Sequence, residues 1–343
     1  MELFLVLVLS SIVSFSAIRF LIPVAASLSL IDMPSGRKQH AEPTPLIGGI
    51  AAYVGVLAAF LVASPLSSES LYFLLGGTIV LIVGMLDDRK PMGVRVRLVA
   101  QCFAIGVVIS GTGLYVTYLP VPIMGGEFSL GWFGIPFTII AVIGLMNAFN
   151  LADGIDGLSG SLAIVAIVGI FSFASLQNSA VDHSLVLFLA VSLLPYLLHN
   201  LGILGRKIFL GDAGSMFVGF VISWTLIAHS ETTPPTISSS AALWCVAIPV
   251  IDTLGVMVRR IKKGRSPFQP DRDHLHHILQ RVGLSSHLSL MVMVGASLVV
   301  LAFGLVLETV LPNYALLGFL SLFALYAYCL LHAWRVQRFL SKD

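Results

Sequence analysis

The stretch Asn147-Ala-Phe-Asn-Leu-Ala-Asp-Gly-Ile-Asp-Gly-Leu158 decides how this chain is read. An apolar run from Trp132 to Met146 ends on it, and a second, Leu158 to Ala174, begins on it. Two asparagines, two aspartates and two glycines therefore stand where an apolar helix meets water. Asp153 and Asp156 would share one face if a helical turn carried both. Gly154 and Gly157 have no side chain, so a bulky anion can approach the backbone there. The bland alternative is a solvated turn. Such a turn rarely holds two acids and two amides without a base, and ionisable residues at a membrane edge are functional by default.

The chain has 343 residues, 57% of them hydrophobic and 10% charged. Soluble domains carry about 25% charge. The composition is that of a polytopic membrane protein, because one anchor cannot account for it. Helical spans need about 17–25 apolar residues to cross ~30 Å of hydrocarbon. Eleven segments qualify, at roughly 1–22, 46–64, 70–86, 97–115, 132–149, 158–175, 183–200, 214–230, 240–259, 287–306 and 313–334. The runs are continuous and do not alternate, which excludes a spanning β-barrel. The expected fold is all-α, one polytopic bundle of about eleven helices over residues 1–343. The first run has no basic n-region and reads as a span, not a cleaved signal. Cys102, Cys245 and Cys329 lie in apolar runs, and their odd number and spacing argue against disulfides and zinc.

Lysines and arginines set the orientation. With the first connection in the cytoplasm, all 19 bases fall on one side of eleven alternating spans. The opposite loops carry Glu2, Glu69, Glu127, Asp182, Glu231 and Glu308 and no base. The N-terminus is then outside, the C-terminus inside, and the cytoplasmic loops are 32–45, 87–96, 147–158, 200–213 and 260–286. The outer segment 116–131, with Gly125-Gly126, reads as a small hairpin.

Four polar motifs share the basic side. Asp87-Asp88-Arg89-Lys90 closes an apolar helix, where acids oppose the helix dipole and need compensation. A divalent cation, or a lipid phosphate held by Arg89 and Lys90, would supply it. Gly211-Asp-Ala-Gly-Ser215 opens a helix: Asp212 is either a routine cap or, with glycine on both sides, part of a phosphate or metal site. His274, His276 and His277 follow the basic run Arg259–Arg265, and they suit a polyanion better than zinc, which has no such established spacing. If that segment is helical, His274 and His277 share a face. Asn200 ends a span and could hydrogen-bond a base or sugar. Asp252 lies inside a span, where it must face the bundle or water. Acids imply a metal, bases and imidazoles imply phosphates, and the membrane surface implies one lipid and one soluble substrate. Phosphoryl transfer between a nucleotide and a lipid phosphate uses all of these. The rivals are an ion-coupled transporter, with Asp156 and Asp252 as a proton path, and a scaffold for other membrane enzymes.

These motifs resemble, in order, those of the polyprenyl-phosphate N-acetylhexosamine-1-phosphate transferase family. The resemblance covers about 30–280 and includes Pro34–Gly49 with Arg37-Lys-xx-His40. Ser266-Pro-Phe-Gln-Pro-Asp-Arg-Asp-His-Leu-His-His277 is similar to the N-acetylglucosamine branch, not to the muramoyl-pentapeptide branch. The family implies transfer of N-acetylglucosamine 1-phosphate from UDP-N-acetylglucosamine to undecaprenyl phosphate, with Mg2+ (or Mn2+ in its place), at the cytoplasmic face of a bacterial inner membrane. The product begins a surface polysaccharide such as O-antigen, enterobacterial common antigen or teichoic acid. Among the residues, the resemblance implies Asp212 as principal metal ligand with Asp153 second. Asn150, Asp156 and Asn200 would hold the uridine. Arg260, Arg265, His274, His276 and His277 would hold the diphosphate and sugar. Asp87, Asp88, Lys38 and Arg89 would engage the lipid phosphate, with Asp87, Asp88, Asp153 and Asp156 forming the catalytic set. A phosphate monoester is largely dianionic above its second pKa of about 6, so a base is not strictly required; Asp87 orients the phosphate and is placed to deprotonate it. No nucleic acid is expected as a partner, and the reading is compatible with a homodimer.

Overall fold

The computed structural model describes residues 2–34, 42–63, 67–123, 125–176, 183–267 and 273–340, with the backbone alone from 333 onward. The described chain is helical throughout except at its loops. In order the helices are α1 (Glu2–Val24), α2 (Gly48–Ala63), α3 (Ser68–Arg89), α4 (Val94–Thr112), α5 (Gly134–Ala152), α6 (Leu158–Leu176) and α7 (Ser184–Asn200). Then follow α8 (Gly211–Ser230), α9 (Ser239–Cys245), α10 (Ala247–Lys262), α11 (Leu275–Arg281), α12 (Ser286–Val310) and α13 (Pro312–Leu340). Eight of them, α1, α3–α6, α8, α12 and α13, are long and apolar enough to cross a membrane. A ninth crossing results if α9 and α10, bent by 86° at their junction, count as one span. The bend falls at Val246, where Pro249 in the next turn has no N–H to continue the ladder. The apolar helices α2 and α7 are 16 and 17 residues long. Each of the eleven expected segments overlaps one of these helices, α9 and α10 taken together. The protein is a polytopic helical membrane protein.

The bundle is built around α8. Its apolar and small residues run all round the helix, which is the pattern of a buried helix. Of its span, 89% is buried, against 17–28% for α1, α4, α12 and α13, whose outer faces are left for lipid. It packs on α2, α3, α5, α6, α7 and α9. Two of these contacts are backbone to backbone. A Cβ on Gly49 of α2 would stand 2.1 Å from Gly214 Cα of α8, and one on Gly84 of α3 would stand 2.3 Å from Ala213 Cα. With no hydrophobic drive between helices in lipid, close approach through small residues supplies the packing.

The loops gather at the two ends. At one end β1 (Ile31–Asp32) pairs antiparallel with β2 (Thr44–Pro45). The chain after β2 is then zipped to the start of α8: Phe209 N–H donates to Pro45 O at 2.8 Å, Gly48 N–H to Phe209 O at 2.9 Å and Gly49 N–H to Leu210 O at 2.9 Å. At the other end β3 (Tyr118–Pro120) and β4 (Glu127–Ser129) form the hairpin expected over 116–131. There Glu231 accepts from the Thr117 backbone N–H at 3.1 Å and from its hydroxyl. Glu308 accepts from Ser238 at 3.0 Å and Ser240 at 2.5 Å. The acids of this end thus tie loops to helix ends.

Two local expectations change. Asp153 and Asp156 do not share a helical turn, because α5 ends at Ala152 and α6 begins at Leu158, with Gly157 at φ +76° between them. The His274–His277 segment is helical only from Leu275. His274 is extended, at φ −66° and ψ 154°, so it and His277 do not lie on one helical face.

Gly49→Ala places a methyl group against the α8 backbone, which cannot yield as a side chain can. We expect a loss of roughly 1–3 kcal/mol, the usual cost of overpacking, seen as a lower unfolding midpoint in detergent. Gly106→Ala, where a Cβ meets nothing within 4 Å, should leave the midpoint unchanged.

Candidate active site

The site begins with a helix end that cannot cap itself. The first backbone N–H groups of α8 have no side-chain cap of their own. Asp88, at the end of α3, supplies one: its Oδ1 accepts from Asp212 N–H at 2.8 Å and its Oδ2 from Ala213 N–H at 3.1 Å. Gly211 between them has φ +76°, and a Cβ there would lie 2.6 Å from Asp88 Oδ2, so only glycine admits the carboxylate. An acid disfavoured at the end of its own helix is thereby favoured at the start of another.

Its neighbour Asp87 is compensated differently. Asp87 Oδ2 pairs with Arg97 Nη1 at 2.8 Å, and its Oδ1 accepts from Met92 N–H at 2.5 Å. Arg97 stands in the first turn of α4, where a base opposes the dipole, and it keeps a buried Nε without a partner among the described residues. Arg89 turns away and donates to Leu28 O at 2.7 Å. The compensation expected from a cation or an anion at Arg89 and Lys90 therefore comes partly from α8 and Arg97.

Asp212, on the first turn of α8, accepts from Asn150 Nδ2 at 2.7 Å; the same amide reaches Ser215 Oγ at 3.0 Å. Asp87 and Arg97 also act on Asp212 electrostatically. Asp153 lies beside this group without a side-chain hydrogen bond or ion pair among the described residues. Burial, then the carboxylates of Asp212, Asp88 and Asp156, push its carboxyl well above the usual range. Asp156 points the other way, onto Lys207 Nζ at 2.6 Å, both side chains more than a third exposed. Lys207 also lies 5.4 Å from the Phe209 ring centre.

Asn200 is buried and committed to the backbone: its Oδ1 accepts from Gly157 N–H at 2.5 Å and its Nδ2 donates to Ile208 O at 2.8 Å. It ties the loop 153–157 to the strand-like segment before α8. With the side chain buried, only its second amide hydrogen and second carbonyl lone pair are left for a nucleotide.

The histidine segment folds over that loop. His276 is buried, and a Cβ on Gly154 would fall 2.2 Å from its Nε2, so Gly154 is the space the imidazole occupies. Burial and the His277 and His274 rings push His276 down to about 3, despite nearby Asp252. At neutral pH this ring is uncharged and carries one N–H donor. Arg260 is buried and donates to Pro267 O at 2.6 Å, while Arg265 is exposed. Lys38, with Arg37, His40 and Arg272, lies outside the described residues.

The structure thus joins Asp87, Asp88, Asn150, Asp153, Asp212 and His276 at one end of the bundle, with Asp156 on the loop before α6, Asn200 at the end of α7 and Lys207 on the loop after it. Sequence reasoning counted Arg97 and Lys207 only as charges. A base at a helix start, opposing the dipole, is the signal that could have singled out Arg97. Ser215, whose partner Asn150 lies on another helix, was legible only as the end of its motif. No three His, Cys, Asp or Glu side chains among the described residues close into a ready-made metal cage. Mg2+ is held by one or two carboxylates and completes its octahedron with waters and substrate phosphates. The hard oxygens of Asp212 and Asp153, crowded and short of positive charge, fit that ion.

An acid-rich centre at the end of a membrane bundle defines the class, and residues 70–230 match the family described as glycosyl transferase family 4. The chain belongs to that family. It is 36% identical over 325 residues to the undecaprenyl-phosphate α-N-acetylglucosaminyl 1-phosphate transferase from Yersinia pestis, covering 93% of this chain and 89% of the relative. It is 37% identical to the protein of that name from Escherichia coli K12 over 326 residues, 93% and 88% of the two chains. The relative so named from Pasteurella multocida is 35% identical over 342 residues, 98% and 96% of the two chains.

The crowding of carboxylates carries a prediction about stability. A carboxyl whose folded pKa is raised binds protons more readily folded than unfolded. Its contribution favours the fold below its unfolded pKa and is lost as pH rises through the folded value. At neutral pH without divalent cations, the Asp153 carboxyl therefore costs stability. Asp153→Asn should raise the unfolding midpoint in chelator, by on the order of 1 kcal/mol for each pKa unit relieved, while turnover collapses. A lowered midpoint would remove the electrostatic strain inferred at this site.

Proposed function

We propose that the protein transfers N-acetylglucosamine 1-phosphate from UDP-N-acetylglucosamine to undecaprenyl phosphate, releasing UMP and leaving a lipid-linked sugar diphosphate. An oxygen of the lipid phosphate attacks the β-phosphorus of the nucleotide sugar. The bond from that phosphorus to the oxygen bridging it to UMP breaks, and UMP leaves with the electron pair. The observation that carries this reading is the juxtaposition of the Asp88-capped start of α8, bearing Asp212, with Asp153 and His276, in a chain aligned along nearly its whole length with transferases so named.

Asp212 and Asp153 would hold Mg2+, or Mn2+ in its place, which when bound neutralises diphosphate charge and polarises the P–O bond to be broken. Asn150 holds Asp212 in its rotamer. The lipid phosphate lies toward Asp88 and Arg97, which Asp87 positions, with Arg89 and Lys38 as further bases assigned to it; it reacts as its dianion, so no residue need remove a proton. Asp156 with Lys207 meets the nucleotide, and Asn200 shapes the loop that carries Asp156. His274, His276 and His277 with Arg260 and Arg265 meet the diphosphate and sugar. Catalysis rests on positioning and charge neutralisation, as in phosphoryl transfer generally.

The bundle spans a bacterial inner membrane eleven times, with α2, α7 and the bent α9–α10 pair as the three crossings that length alone leaves open. The N-terminus is then outside, and the site and C-terminus are cytoplasmic. That places every lysine and arginine on the side of the soluble substrate. The product starts a cell-surface polysaccharide of the O-antigen, common-antigen or teichoic-acid kind.

In detergent with UDP-N-acetylglucosamine, UMP should appear only when undecaprenyl phosphate and Mg2+ are both present. Asp212→Asn should cut this release by roughly two decades or more, the scale of losing a preorganised electrostatic partner, with the fold intact. Release of UMP without lipid phosphate would oppose the transfer. Reporters fused at residues 1 and 343 should report opposite sides of the membrane; the same side for both would end the eleven-crossing topology.

A further inference from the structure

Three imidazole nitrogens next to the acid loop have no partner among the described residues. They are His274 Nε2, His276 Nδ1 and His276 Nε2, on side chains 3% and 1% exposed. Buried polar atoms left unmatched are costly and call for an explanation. The two rings lie parallel, 9° apart, with centroids 6.1 Å from each other, and His276 fills the space above Gly154. The orphaned atoms therefore sit on two neighbouring rings, one of them against Gly154, and are not scattered defects.

What holds the rings lies outside the acid cluster. Asp252, buried on α10, accepts three hydrogen bonds. Its Oδ2 takes His274 Nδ1 at 2.9 Å, and its Oδ1 takes Leu275 N–H at 3.0 Å and Tyr326 O–H at 2.5 Å. Leu275 opens α11, so the carboxylate also ties down the start of that helix. Tyr326 belongs to α13, which packs on α10. One carboxylate thus connects the last helix, the amphipathic α10 and the histidine segment. A carboxylate accepts only, so His274 Nδ1 carries a proton, and in the neutral ring Nε2 is then the acceptor.

We propose that Asp252, itself held by Tyr326, is a positioning residue that locks His274 in the tautomer whose Nε2 accepts a hydrogen bond from a hydroxyl or amide N–H of the transferred sugar. This rests on the reaction proposed above. A diphosphate has no donor to offer a lone pair, so His274 reads the sugar. Neutral His276 beside it has one donor to give, for the sugar or the phosphate oxygen next to it. The rings then discriminate among nucleotide sugars by the donor that meets His274, because a buried acceptor without a donor is penalised.

Asp252→Asn is close to isosteric, and its amide can still accept from Leu275 and Tyr326. Its NH2 group, however, faces His274 Nδ1 and drives the ring proton to Nε2, turning the acceptor into a donor. In histidine-labelled protein, 15N resonances should show one ring exchanging tautomer between wild type and Asp252→Asn, a readout that needs no turnover. The Kd for UDP-N-acetylglucosamine and its KM should rise by roughly 5- to 100-fold, the scale of an unmatched buried polar group. Affinity for UDP, which has no sugar, and KM for undecaprenyl phosphate should stay within twofold of wild type, on the usual view that groups not touched keep their contributions. Tyr326→Phe should move UDP-N-acetylglucosamine in the same direction by a smaller factor, and it serves should Asp252→Asn fail to fold. Equal losses for UDP and the UDP-sugar, or for both substrates alongside a lowered unfolding midpoint, would reduce Asp252 to a structural residue. A swapped tautomer with unchanged UDP-sugar affinity would also overturn the proposal. Absence of UMP release from the wild type would instead undo the transferase reading and leave the tautomer result standing.

Discussion

The carboxylate of Asp88 on the first amides of α8 is the contact on which the rest of the site depends. α8 is the most enclosed helix of the bundle, and a buried helix start with unmatched N–H groups is not tolerable in a membrane protein. An acid from α3 meets that need, and Gly211 and Gly84 remove the side chains that would keep the two helices apart. Once α3 and α8 are joined, Asp87, Asp88 and Asp212 converge. Asn150 of α5, which packs on α8 as well, brings in Asp153 at the end of the same helix.

That convergence concentrates negative charge that the protein neutralises only at its edges. Arg97 answers Asp87 and Lys207 answers Asp156, but Asp153 in the middle is left with burial and three neighbouring carboxylates. Groups placed against their own titration preference are commoner at functional sites than elsewhere. The physical logic is that of a site held ready for positive charge and phosphate together, in which each ligand relieves what the other alone would worsen.

The histidine segment adds a second, independent layer. It reaches the acid loop by the space that Gly154 leaves open and is anchored from behind by Asp252, to which Tyr326 on the last helix donates. The glycines of the acid motif thus have distinct uses. Gly154 admits an imidazole, whereas Gly157 takes up the positive φ that ends the turn and offers its N–H to Asn200. Reading both simply as room for an anion missed that half the room is already filled by the protein.

Composition and hydropathy alone determined that this chain is a multi-pass helical membrane protein, because long unbroken apolar runs have no other stable form in lipid. Motif spacing also located the acids, amides and imidazoles of the site, since residues so costly near hydrocarbon are kept for chemistry. Only the tertiary structure decided what each of them touches. That Asp88 caps α8, Asp87 holds Arg97, Asn200 bonds the backbone, Asp252 orients His274 and His276 covers Gly154 are pairings between groups far apart in the chain. No local propensity records them; they arise where helix ends meet, and unsatisfied polar groups and opposed dipoles there find their partners across the bundle.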